Sequence, residues 1–106
     1  METCKVLTRE MLKSPMDLTI EDPHLDYPQA KTAADARSRE ECNDPMLLAW
    51  YDRKSGEYSP RVECCHEKKP GWLVYAESRG GDIVIDINRE DFVFIYKAFQ
   101  DYKKGV

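Results

Sequence analysis

Trp72-Leu-Val-Tyr-Ala-Glu-Ser-Arg-Gly-Gly-Asp-Ile-Val-Ile-Asp-Ile-Asn-Arg-Glu-Asp-Phe-Val-Phe-Ile-Tyr96 is the stretch whose reading decides the fold. Apolar and polar residues alternate on both sides of Gly80-Gly81, and a Gly-Gly pair between two such runs predicts a two-residue hairpin turn whose central residues need φ > 0. That turn sets Arg79 against Asp82, Ala76 against Ile85 and Val74 against Ile87. A second turn over Asn88 to Asp91 sets Ile87 against Phe92 and Asp82 against Lys97. Three antiparallel strands follow from this reading. One face carries Trp72, Val74, Ala76, Ile83, Ile85, Ile87, Phe92, Phe94 and Tyr96, because paired residues share a face. The other carries Leu73, Tyr75, Glu77, Asp82, Val84, Asp86, Val93 and Ile95.

Upstream, Met16 to Glu21 alternates as a half-buried strand stopped at Asp22-Pro23. Asp26 before Tyr27-Pro28 is a helix N-cap with proline in the first turn, which predicts a helix from about Pro28 to Glu41. Its smooth side consists of Ala30, Ala33, Ala34 and Ala36. Met46 to Asp52 is apolar on both parities, as in a strand covered on two sides. Lys54-Ser55-Gly56 then reads as a hairpin loop with Gly56 in the left-handed position, followed by a short strand through Ser59. Arg61 to Gly71 loses its pattern, and Lys97 to Lys104 reads as a short helix carrying Phe99 and Tyr102. The predicted fold class is α+β: a mostly antiparallel β-meander sheet with one main helix packed on one face. A chain of 106 residues predicts a single compact domain over 1–106.

The run Asp44-Pro-Met-Leu-Leu-Ala-Trp-Tyr-Asp52, with Gly56, Ser59-Pro60, Val62-Glu-Cys-Cys65 and Pro70-Gly-Trp-Leu-Val-Tyr-Ala-Glu-Ser-Arg-Gly-Gly81, resembles a family of small uncharacterised prokaryotic proteins, a domain of unknown function. The resemblance covers about residues 22–97. It implies an intact α+β domain and brings no activity and no catalytic residue with it.

Composition narrows the function classes. With 16 basic and 20 acidic residues the net charge is −4, which gives no electrostatic footprint for nucleic acid. No apolar run approaches the ~20 residues that span a bilayer, and no signal-peptide pattern opens the chain, so the expectation is a cytoplasmic protein without a membrane partner. Its four cysteines are then expected as thiols. Cys64, Cys65 and His66 are the most chemically suggestive cluster, and Cys42 at the predicted end of the helix could add a ligand. Adjacent cysteines in an extended chain point to opposite sides, however, and structural zinc sites space them two to four residues apart. Asp86 to Glu90 has the opening of a calcium loop without its sixth-position glycine, so a turn is the better reading. The acidic groups Glu21, Asp22 and Asp26, and Glu40, Glu41 and Asp44, read as caps and solvated surface. Trp50, Tyr51, Tyr58, Trp72 and Tyr75 read as core.

Two functional expectations follow. The first is a non-enzymatic binding or interaction module, with no cofactor implied. Its surplus apolar face of Leu73, Tyr75, Val84, Val93 and Ile95 would be covered by a second copy in a homodimer, or else by the chain's own terminal segments. The alternative is a small metal-binding or thiol-redox protein using Cys64, Cys65 and His66.

Overall fold

The computed structural model describes residues 7–61 and 69–98. It contains β1 (Met16–Leu18), α1 (Tyr27–Arg39), β2 (Pro45–Asp52), β3 (Glu57–Ser59), α2 (Gly71–Ser78), β4 (Ile83–Ile87) and β5 (Phe92–Ala98), with a short 3-10 turn at Arg9–Met11. The fold is α+β. Its five-stranded sheet runs β1-β4-β5-β2-β3, parallel between β1 and β4 and antiparallel elsewhere.

The second turn and its register are as the alternation predicts, with Ile87 opposite Phe92 and Ile85 opposite Phe94. The first turn is different. Gly71–Ser78 is a helix, not a strand, and Gly80-Gly81 ends it instead of joining two strands. Gly80 takes φ +86 just past the C-cap Arg79. The Gly80 N–H donates to the Glu77 carbonyl at 3.3 Å and the Gly81 N–H to the Ala76 carbonyl at 2.9 Å, the paired bonds of a Schellman stop. A Gly-Gly pair serves either turn, and Trp72, Leu73 and Ala76 form a buried helical stripe as readily as a strand face. Packing decides between the two, because the second sheet face has to be shielded from water.

That face is covered by the chain itself. Leu7, Leu12, Trp72, Leu73 and Ala76 form one core with Ala49, Val84, Val93 and Ile95 of the sheet. Leu73, Val84, Val93 and Ile95 are thus buried within one chain, and Tyr75 is half-buried with the Arg79 guanidinium 4.1 Å from its ring centre. The apolar surface expected to meet a second copy is occupied by α2 and the N-terminal segment. Phe99 and Tyr102, the other expected cover, lie outside the described residues.

The opposite face holds a second core, in which Leu25, Ala30 and Ala34 meet Ile83, Ile85, Ile87, Phe92, Phe94 and Tyr96. Trp72, Val74 and Ala76 were expected on this side and do not belong to it. The helix above it starts where predicted: the Asp26 carboxylate accepts the Gln29 N–H at 3.1 Å, and the Gln29 side chain accepts the Asp26 N–H at 3.2 Å. It ends earlier than predicted, at Arg39. Ala30, Ala34 and Ser38 are fully buried, while Ala33 is half-buried and Ala36 exposed. These small residues let α1 lie close on the sheet.

Four smaller readings differ in the structure. β1 is shorter than Met16 to Glu21, and β5 continues to Ala98. β2 lies between β5 and β3, while β5 is the central strand. The β2–β3 loop has four residues, with Gly56 at φ +77 in the predicted left-handed position.

Candidate functional site

Cys64, Cys65 and His66 lie outside the described residues, so the cluster singled out in the sequence is not placed. Cys42 is a free, half-buried thiol packed against the core beneath α1. Among the described residues, no group of three or more His, Cys, Asp and Glu side chains is arranged to hold a metal ion. No helix among them is long and apolar enough to cross a membrane. The aromatic group divides between the two faces: Trp72 stacks on Tyr51 at 5.4 Å under α2, whereas Trp50 meets Tyr27 at 4.5 Å under α1. Asp26 caps α1, Asp22 accepts the His24 N–H, and Glu40 and Glu41 pair with Arg37.

Two polar constellations emerge instead, one on each side of the sheet. The first surrounds Asp86, whose side chain is fully buried. The parity of β4 turns it toward the face shared with Val84, beyond the reach of α2. Here the N-terminal segment brings in Arg9, whose Nη1 lies 2.8 Å from Asp86 Oδ2 and 3.8 Å from Glu90 Oε2 while the same guanidinium forks onto Asp17. The other Asp86 oxygen accepts the Glu90 N–H. A hydrogen bond between the two carboxyls, then burial and the charge of Asp86, push Glu90 up to about 7, against the opposing pull of Arg9 and Arg53.

The hairpin beside this pair is strained. Asn88, Arg89 and Glu90 have φ of 53, 57 and 67, three consecutive residues with left-handed φ, which costs L-residues about 1–2 kcal/mol each, less for asparagine. Side chains hold it there. Asn88 Oδ1 accepts the Ile20 N–H at 2.8 Å and Asn88 Nδ2 donates to the Ile20 carbonyl at 3.0 Å, while Arg53 Nε donates to the Glu90 carbonyl at 3.0 Å. Arg53 Nη2 also reaches the Leu7 carbonyl at 3.1 Å. Each of these groups is spent on the chain's own donors and acceptors, so the network ties the N-terminal segment, β1 and the β4–β5 hairpin together.

The second constellation lines a cleft of about 190 Å³ between the last turns of α1, the start of β2 and the end of β5. Lys31, Asp35, Ser38 and Arg39 approach from α1, over a floor of Pro45, Leu47 and Tyr96. Positions 31, 35 and 39 share one helical stripe at four-residue spacing. Tyr96 is fully buried, and its hydroxyl donates to Asp35 Oδ1 at 2.6 Å. Desolvation, reinforced by that hydrogen bond, drives the Tyr96 phenol far above its ordinary range and keeps it a donor. The other oxygen, Asp35 Oδ2, holds Lys31 Nζ at 2.8 Å, and Ser38 Oγ donates to the Asp35 carbonyl at 2.8 Å. Sequence reasoning missed both constellations. The faint signals were a carboxylate, Asp86, on an otherwise apolar strand, and a Lys-Asp-Arg stripe above an alanine-lined helix face.

An uncharacterised protein of Archaeoglobus fulgidus is 43% identical over 51 residues, 48% of this chain and 54% of the relative, so the matched region spans about half of that relative's length. A crystal structure of a protein from the same organism superposes with a TM-score of 0.72 at 26% identity, over 86% of this chain and 100% of the other. The two helices and mixed sheet are therefore an arrangement shared with an experimentally solved protein. Residues 13–96, which hold β1 to β4, most of β5 and the groups of both constellations other than Arg9 and the Leu7 carbonyl, match a domain of unknown function (DUF5619), and the chain belongs to that family.

Proposed function

We propose that the domain is a non-enzymatic binding module that takes a small polar molecule in the cleft beside α1. The observation that carries this reading is the convergence of Lys31, Asp35, Ser38 and Arg39 from α1 on a small cleft whose lining is mostly polar, since a few oriented charged and hydrogen-bonding groups are what fix a polar ligand. Tyr96 and Asp35 hold each other rigidly, so the cleft is shaped before a ligand arrives. A cytoplasmic setting goes with this reading, because a reducing compartment keeps a thiol such as Cys42 free.

The test is a screen of small polar molecules against isotope-labelled protein, followed through backbone amide shifts. Saturable shifts at Asp35, Ser38, Leu47 and Tyr96, from a molecule recovered chemically unchanged, support the reading. Hits that map only to other surfaces, or that are converted to product, overturn it.

A further inference from the structure

The charge balance along α1 is unequal in a way its spacing does not predict. An aspartate and an arginine four residues apart on a helix ordinarily pair, so Asp35 and Arg39 should neutralise each other. They do not: Asp35 Oδ2 holds Lys31 at 2.8 Å and Oδ1 accepts the Tyr96 hydroxyl at 2.6 Å, and these partners orient the carboxylate away from an Arg39 pair. Among the described residues, no carboxylate comes within salt-bridge distance of the Arg39 guanidinium. Its neighbour Arg37 is different: it pairs with Glu40 at 3.3 Å and Glu41 at 2.8 Å and does not line the cleft. Counting formal charges on the lining, Lys31 and Arg39 against Asp35 leave +1, in a chain whose net charge is −4.

We propose that Arg39 anchors the acid group of a small oxyanion, a carboxylate or a phosphate, bound in this cleft. The proposal rests on the binding reading above and adds the ligand's charge and the residue that reads it. A guanidinium presents two parallel N–H donors that match both oxyanions, and it keeps its charge at any physiological pH. The lining is mostly polar, and about 190 Å³ limits the ligand to a small polar molecule. One effect opposes the anion: the cleft lies near the C-terminal end of α1, where the helix dipole is negative. The dipole acts as a partial charge of roughly −0.5, less than the full charge on Arg39, so the cation prevails.

The experiment titrates the full-length labelled protein, at constant ionic strength, with sodium glycolate, inorganic phosphate and glycolamide, the uncharged analogue of glycolate. The expected result is saturable shifts at Ser38, Arg39 and Leu47 with at least one anion and none with glycolamide. Arg39→Gln should weaken that binding at least tenfold, and Arg37→Gln should leave it within twofold. Whichever anion saturates the site identifies the acid group. If glycolamide binds the cleft as well as glycolate, or if Arg39→Gln binds like the parent, the anion proposal falls while the binding reading stands. If Arg37→Gln weakens binding as much as Arg39→Gln, a diffuse field is at work and the anchor is wrong. If no probe shifts the cleft amides, and the wider screen finds no ligand there, both fall together.

Discussion

Replacing Gly80 and Gly81 separately by alanine distinguishes a helix stop from a hairpin turn. In a two-residue hairpin both glycines have φ > 0, and the two substitutions should cost similar amounts. In the helix stop their situations differ. At Gly80 an added Cβ has its nearest neighbours, Lys97 Cε and Cδ, at 3.7 and 3.9 Å, so the cost is the left-handed backbone alone, about 1 kcal/mol. At Gly81 a Cβ would stand 2.6 Å from Ile95 Cγ2 and 2.9 Å from the Ala76 carbonyl oxygen. Ile95 is in the middle of the sheet and Ala76 in the last turn of α2, both buried, so neither can step aside. Overpacking of this kind costs ~1–3 kcal/mol. Weakening the Gly81 to Ala76 hydrogen bond adds ~1 kcal/mol. Urea denaturation should therefore rank Gly81→Ala above Gly80→Ala by about 1–3 kcal/mol. In an Ile95→Ala background, which removes the clashing methyl, the Gly81→Ala increment should shrink by at least ~0.5 kcal/mol. Equal losses at the two positions, or an undiminished increment in that background, would refute the helix stop.

Glu90→Gln should flatten the pH dependence of stability. Glu90 is raised from 4.5 to about 7 in the folded chain, so the folded state holds the proton more tightly than the unfolded state. Wild-type stability then falls as pH rises from about 4.5 to 7, and the glutamine variant, lacking this loss, should exceed wild type at pH 8 in urea titrations; parallel pH profiles would count against the carboxyl pair. Tyr96→Phe should cost ~1.5–3 kcal/mol, the range for a hydrogen bond to a charged group, and should free an Asp35 oxygen for Arg39; thermal and chemical denaturation check the first and anion titration the second. Val84→Asp, which buries an unpaired carboxylate under the N-terminal segment and α2, should abolish the folded circular dichroism spectrum instead of merely changing the state of association.

Much of the sheet was legible because two apolar runs joined by a short turn, Ile83 to Ile87 and Phe92 to Tyr96, fix their register whichever faces are covered. The Asp26 cap and Gly56 were legible from local cap and turn chemistry. Trp72 to Ser78 was not, because seven residues satisfy a period of 2 and of 3.6 almost equally, and the glycines after them end either element. The deciding fact was non-local: Leu73, Val84, Val93 and Ile95 could not all face water. The pairing of Arg79 with Tyr75, four residues apart, was a helical clue inside the stretch itself. The sites were harder to read. Arg9 and Asp86 are far apart in the chain, as are Asp35 and Tyr96, and no local pattern brings such partners together.

The strand order has a kinetic consequence. β5, which occupies the middle of the sheet, follows every other described strand in the sequence, and β1 pairs with β4 through contacts such as Met16 with Ile85. As the chain leaves the ribosome, β1, β2 and β3 are complete while β4 and β5 are still missing, so only the β2–β3 hairpin can zip locally. Closing loops of this length before any sheet contact is gained makes high-contact-order folding slow. Until the central strand arrives, the edge of β2 that later receives it stays unpaired and open to neighbouring chains. Nascent chains arrested before Phe92 should therefore be the species most prone to aggregate and the ones most in need of a chaperone.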